Sequence, residues 1–179
     1  MATICLYGAA SDRIAKDYME DVFALGQEMG RRGHTMIYGA GATGLMGAAA
    51  RGMDDVGGYI IGVTPHFMHK HEPIYECTEL INTDTMAERK YIMEKRADAF
   101  VVVPGGIGTF DEFFQAITLK ELGQLDKHIV IFNVDGYFDK LLDAIKYGYD
   151  KGFVRPGALG LYEVCNTPKE VIDAIERVV

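Results

Sequence analysis

The sequence has no tryptophan and only five prolines. Its three cysteines, Cys5, Cys77 and Cys165, are odd in number, scattered and never in a CxxC pair. That excludes a disulfide framework and a cysteine zinc site, and leaves small apolar residues of a reduced compartment. No apolar run approaches the roughly 20 residues of a membrane span. The first apolar stretch, Ala2–Tyr7, is too short for a signal peptide and ends in a glycine turn. The expected location is therefore cytoplasmic, with no membrane partner. Basic clusters are missing as well: 18 Lys+Arg face 26 Asp+Glu, for a formal net charge of −8. This argues against nucleic acid as a partner but not against a small phosphate ligand, because a local site can oppose the global charge. Repeats, low-complexity tracts and linkers are absent, and 179 residues are few for two cores. A single domain over residues 1–179 is expected.

What the sequence does contain is an alternation of short β-rich runs with longer helical patterns. Strands are expected at Ala2–Tyr7, Thr35–Tyr38, Tyr59–Val63, Glu79–Asn82, Ala99–Val103, His128–Asn133 and Leu161–Cys165. Helices fit Ile14–Arg31, Gly44–Asp55, Thr85–Arg96, Thr109–Leu122, Tyr137–Lys151 and Pro168–Val178. The last opens on Thr167-Pro168-Lys169-Glu170, a capping box with proline at the first helical position. The pattern implies an α/β fold: a Rossmann-like, doubly wound, mostly parallel sheet with helices on both faces. "FVVV" and "IVIF" are continuously apolar, as strands buried on both sides should be. The longest irregular segment, Thr64–Thr78, carries His66, His69 and His71. With no second cluster at ligand spacing, it reads as a solvated or pocket-lining loop, not a metal site.

Ligands of such sheets bind beyond the carboxyl ends of the strands. Three glycine turns fall there: "YGAAS" (Tyr7–Ser11), "YGAGATG" (Tyr38–Gly44) and "PGGIGT" (Pro104–Thr109). The second matches GxGxxG. A dinucleotide site also wants an acid about 20 positions on, and "IIGVTPH" supplies none. In the third, Gly105, Gly106 and Gly108 permit positive φ and close approach. Helix is then expected from near Thr109, its free amides forming an anion site. Thr109-Phe110-Asp111-Glu112 is equally a capping box, in which Glu112 only bonds back to the helix start. In "TMAERKYIMEKRADAF", Met86, Met93 and Ala97 share one helical stripe, expected toward the core, with Arg89 and Lys90 flanking it. "ERK" reads either as a solvated charge face or as two cations beside the glycine turns.

"MAERK" (Met86–Lys90) followed by "PGGIGTFDE" (Pro104–Glu112) resembles the paired signature of the LONELY GUY family, the cytokinin riboside 5′-monophosphate phosphoribohydrolases. The similarity covers nearly the whole chain, through "YGAGATGLMGAAARG", "GYIIGVTPHFM" and "LKELGQLDKHIVIFNVDGYFDKLL". Ala87 stands where the family has His, Ala40 where it has Gly, and "YGAAS" replaces a C-G-S-S first loop. The resemblance implies a cofactor-free and metal-free N-glycosidase. It would cleave AMP or N6-prenylated AMP to free base and ribose 5-phosphate. It implies Arg89 and Glu112 as the catalytic pair. Glu112 would stabilise the oxocarbenium-like ribose, and Arg89 would orient substrate with Lys90 in support. Substrate contacts would come from Gly8, Ser11 and Gly41, from the Gly105-Gly106-Ile107-Gly108-Thr109 backbone, and from Met86, Glu72 and Thr118. Core packing of Met86 stays nearly as good a reading. A homodimer, with helices beside the site in contact, is also implied. The alternative is a non-catalytic carrier of nucleotide or molybdenum cofactor of similar fold. Such a carrier needs the glycine cradle but not the Arg89/Glu112 pair.

Overall fold

The computed structural model describes all residues from Met1 to Val179. Strands β1 (Thr3–Tyr7), β2 (Thr35–Tyr38), β3 (Tyr59–Pro65), β4 (Glu79–Thr83), β5 (Ala99–Val102), β6 (His128–Phe132) and β7 (Glu163–Cys165) form one seven-stranded sheet. All six pairings are parallel, in the order β4-β3-β2-β1-β5-β6-β7. The helices are α1 (Lys16–Arg31), α2 (Gly44–Asp55), α3 (Met86–Arg96), α4 (Ile107–Glu121), α5 (Asp139–Asp150) and α6 (Pro168–Glu176).

Alternation along each strand sends side chains to two cores. Ile4 and Leu6 join Val22, Leu25 and Met29 of α1, the alanines of α2, and Val171 and Ile172 of α6. Cys5 and Tyr7 join Met93 of α3 and Phe113 of α4 on the other face. Central strands buried from both sides are expected to be continuously apolar where they are covered, and "AFVV" and the "IVIF" that follows His128 meet that requirement. Burial pushes the Cys5 thiol well above the ordinary cysteine range. Together with the burial of Cys165, this bears out the reading of both as apolar packing residues.

The first four strands add outward from β1 and the chain then returns to place β5 on its other side. The order therefore reverses between β1 and β5, and a crevice opens there at the carboxyl ends. Both "YGAAS" and "PGGIGT" leave the sheet into this crevice.

The differences from expectation are local and have identifiable causes. Helix α4 begins at Ile107, with Gly106 as its N-cap and no capping side chain. Thr109 and Glu112 consequently stand inside the helix, and the capping box expected there does not form. The box at Thr167 does: its hydroxyl accepts from the Glu170 amide at 3.2 Å and the Glu170 carboxylate accepts from the Thr167 amide at 3.2 Å. β7 loses Leu161 and Tyr162, because a short 3-10 turn at Ala158–Gly160 precedes it. Another such turn, Val134–Gly136, with Asp135 at φ 49°, delays α5 to Asp139. The long irregular segment is shortened by the extension of β3 and by a 3-10 turn at His66–Lys70.

Candidate functional site

Helix α3 is started by Thr85, whose hydroxyl accepts from the Glu88 amide at 3.1 Å, while the Glu88 carboxylate accepts from the Asp84 amide at 2.9 Å. Glu88 of "ERK" is thus a capping residue. Its neighbour Arg89 is turned inward and is only 6% exposed. Lys90 pairs with Asp111 of α4 at 2.9 Å. The three charges of "ERK" therefore have three different fates, and neither sequence reading of the segment holds for all of them.

Arg89 lies in a cavity of about 380 Å³ at the β1/β5 crevice. Its Nη2 is 3.9 Å from Oε1 of Glu112, an ion pair too long for a hydrogen bond. Its Nη1 is 3.7 Å from the Met86 sulfur, and its Nε has no partner at all. A buried guanidinium with unmade hydrogen bonds is costly unless something else completes it. Glu112, 9% exposed, sits on the second turn of α4. Burial pushes its carboxyl up to about 7, opposed by Arg89 and reinforced by Asp111. Glu72, on the long loop, is raised by burial and held down by Arg89. The guanidinium therefore carries the positive charge that opposes the burial of both carboxyls.

The position of Arg89 depends on a residue that the sequence reading did not single out. A Cβ on Gly39 would lie 1.8 Å from Arg89 Nη2. The other glycines of "GAGATG" are also consumed by packing: one on Gly41 would meet the Met46 methyl at 2.6 Å, and one on Gly44 the backbone of Ala9–Ser11. The amide of Met46 donates to the Ala9 carbonyl at 3.1 Å, and the Thr43 hydroxyl donates to the Ala10 carbonyl at 2.6 Å. The GxGxxG turn thus clamps the first loop, which packs over Gly44 and Leu45 at the start of α2 and buries them. The long loop is fastened to the same turn by Ala42 N–Pro73 O at 3.0 Å and Tyr75 N–Ala40 O at 2.9 Å, which brings Glu72 and Met68 to the cavity. Gly39→Ala should displace the Arg89 guanidinium and lower kcat/KM for a nucleotide monophosphate by about 100-fold, the scale expected when a side chain bordering a substrate cavity is moved by about 1 Å. Steady-state kinetics on the folded variant checks this.

The third glycine turn differs from the second. No backbone carbonyl accepts from the amides of Gly106, Ile107, Gly108 or Thr109; the first amide of α4 so engaged is that of Phe110. None of Gly105, Gly106 and Gly108 has positive φ, so of the two freedoms these glycines permit the turn does not use the left-handed one. A Cβ on Gly105 would strike Thr109 Oγ1 at 2.0 Å, so that glycine serves packing. One on Gly106 or Gly108 would meet no protein atom within 4 Å. Both border the cavity. Nothing in the fold requires glycine at these two positions, and what their bareness leaves open is access to the amides.

The cavity gathers Gly8, Ser11, Glu72, Met86, Arg89, Gly106, Gly108, Thr109 and Glu112 of the expected site residues. Met86 is therefore a cavity residue, 37% exposed, and not part of the core with Met93 and Ala97. Ile107 points its side chain to solvent at 84% exposure, so only its amide can take part. Gly41, Lys90 and Gly105 stand one layer behind the wall. Thr118 is not at this site: it lies on α4 in a separate groove with Phe114 and Phe153, because nearly three helical turns from Gly108 carry it away from the crevice. Asp111, Met46 and Met68 border the cavity and were missed. Asp111 was legible only as a capping acid, and the two methionines only as core or loop.

A family model described as "Possible lysine decarboxylase" matches residues 46–175. The cytokinin riboside 5′-monophosphate phosphoribohydrolase of Mycobacterium tuberculosis is 39% identical over 173 residues, 96% of this chain and 92% of that protein. An enzyme of the same name from Arabidopsis thaliana is 34% identical over 175 residues, 97% of this chain and 81% of that one. The chain belongs to the LONELY GUY family. The older description of the family model finds no counterpart in this member of it, since no lysine borders the cavity to hold pyridoxal phosphate as a Schiff base. Solved structures share the LONELY GUY fold more widely. The Moco carrier protein of Chlamydomonas reinhardtii has a TM-score of 0.74 at 22% identity, covering 98% of this chain and 96% of its own. The molybdenum cofactor binding protein of Rippkaea orientalis has 0.75 at 18%, with the same coverage.

Proposed function

We propose that this chain hydrolyses the N-glycosidic bond of purine nucleoside 5′-monophosphates, AMP or its N6-modified cytokinin forms, to free base and ribose 5-phosphate. One observation carries the reading: a buried arginine with an unpartnered Nε stands beside a carboxyl poised to ionise near neutrality. Four unengaged amides lie on the same crevice. The amides of Gly106–Thr109 and the Ser11 hydroxyl receive the 5′-phosphate. Arg89 offers the phosphate-ribose unit a planar donor fork. Glu112, ionised, faces the ribose as the C1′–N bond breaks. The electron pair leaves with the base, positive charge develops at C1′, the oxygen of water bonds to C1′, and the proton that this water sheds balances the one taken up by the departing base nitrogen. Met46, Met68 and Met86, with Glu72 of the long loop, border the base, and flexible methionine side chains can adjust to an N6 substituent.

The chemistry is tested by incubating pure protein with AMP, prenylated AMP and adenosine and separating the products. Free adenine and ribose 5-phosphate are expected from AMP. Cleavage of adenosine as fast as AMP overturns the phosphate cradle, and binding without any product leaves a nucleotide carrier instead. A sharper check uses the open glycines. Gly108→Ala should fold with wild-type stability or slightly more, since alanine gains about 0.5–1 kcal/mol over glycine in a helix. Its methyl would crowd the phosphate and raise KM for AMP about tenfold or more. A wild-type KM would remove the phosphate from this turn.

A cytoplasmic location and a homodimer are part of the same proposal. Three exposed apolar side chains on or near α4, Ile107, Phe114 and Phe153, support the dimer, and sedimentation equilibrium tests it.

A further inference from the structure

A second cavity, of about 350 Å³, lies behind the third glycine turn. Ile14, Ala15 and Tyr18 at the start of α1 form one wall; Pro104, Gly105 and Tyr137 form the other. It shares Ala9, Ser11 and Gly106 with the Arg89/Glu112 cavity. The two therefore meet across the first loop and the amide cradle.

We propose that this second cavity takes a flat aromatic substituent carried on the phosphate of the same nucleotide, so that the phosphate need not be the terminal group of the substrate. The proposal rests on reading the Gly106–Thr109 amides as the phosphate site. Position is the first argument. The cavities flank the β1/β5 switch point, where doubly wound sheets hold the two arms of a ligand joined through phosphate. The lining is the second. Tyr18 and Tyr137 stand edge to face with centroids 6.3 Å apart, and Ile14 and Pro104 complete an apolar wall suited to a ring. No lysine or arginine borders the cavity, so further phosphates would find no counter-charge there. The wall is also preformed, because the Tyr137 hydroxyl donates to the Gly105 carbonyl at 2.6 Å. The passage between the cavities is bordered by Gly106, where a Cβ would touch nothing.

The test compares AMP with its phenyl phosphodiester, by calorimetric binding and by adenine release. Wild-type protein should bind the ester within about tenfold of AMP, the gain from one stacked ring offsetting the loss of one phosphate charge. Ala15→Trp fills the second cavity from the α1 side. It should weaken the ester about tenfold or more while leaving AMP unchanged. Tyr18→Ala should weaken the ester alone by about fivefold or more, through loss of the ring contact. An ester bound about 100-fold more weakly than AMP by wild type, or an equal loss of both ligands in Ala15→Trp, overturns the proposal. If AMP and the ester bind as expected but neither is cleaved, the hydrolase reading fails and the second subsite stands. If AMP itself does not bind, both fail.

Discussion

Glu112→Gln should lower kcat for AMP by about 100- to 1,000-fold while AMP still binds within a few-fold of wild type. A carboxylate placed where positive charge develops acts only in the transition state, and groups of that kind typically contribute 100- to 1,000-fold. Gln keeps the shape and a carbonyl oxygen, so the cavity and the amide cradle survive. Isothermal calorimetry with AMP, set beside product separation, gives both halves of the result. Unchanged turnover would remove Glu112 from the reaction. The same substitution should alter the pH profile. Burial holds the Glu112 carboxyl up to about 7, so in the free protein kcat/KM should rise with pH through about 7 as the group ionises. The phosphate of AMP ionises near pH 6 and affects both proteins alike; only wild type should show the further rise. Stability moves the opposite way. An unfolded glutamate releases its proton near pH 4.3, whereas folded Glu112 keeps it to about 7. Across that window the folded state binds more protons, so wild-type stability falls as pH rises and then levels off. Glu112→Gln should lack this loss, and its melting temperature should gain on wild type between pH 4.5 and 7.

Arg89→Ala should be the other large loss, lowering kcat/KM by about 1,000-fold through affinity and rate together. Arg89 is 6% exposed, so its removal takes the larger of two counter-charges, Arg89 and Lys90, from the buried Glu112. Breaking a buried pair from one side costs about 3–5 kcal/mol. Part of that cost should appear as a still higher Glu112 pKa, moving the acid limb of the profile further toward alkaline pH. Arg89→Lys should recover little, because a point charge cannot offer the planar fork. The unpartnered Nε is the group that bound nucleotide is expected to satisfy. A wild-type kinetic profile for Arg89→Ala would return this side chain to a purely structural part.

The α/β class, the parallel sheet and the glycine edge were legible in the sequence because each follows from local pattern. Continuous apolar runs such as "IVIF" belong to doubly covered strands, and the Thr167-Pro168 cap closes on itself. Helix α4 shows the limit of such reading. Thr109 and Glu112 have the spacing of a capping box, yet the helix starts at Ile107. A capping pattern identifies compatible side chains but not where the preceding strand releases the chain. Arg89 and Lys90 are adjacent and chemically alike. Only the packing of α3 against β2 and α4 decides that one is buried beside Gly39 while the other pairs with Asp111 at 2.9 Å.

By itself, the sequence determined the periodicities, the turns, the family and the residue types able to do glycosidic chemistry, because those are properties of short stretches read one at a time. The tertiary structure alone decided which glycines are filled by neighbours and which are bare. It also decided that Thr118 lies outside the crevice, and that burial raises Glu112 to about 7. Those facts depend on what comes from elsewhere in the chain to occupy the space beside each residue, and solvation and steric room are set by neighbours in space.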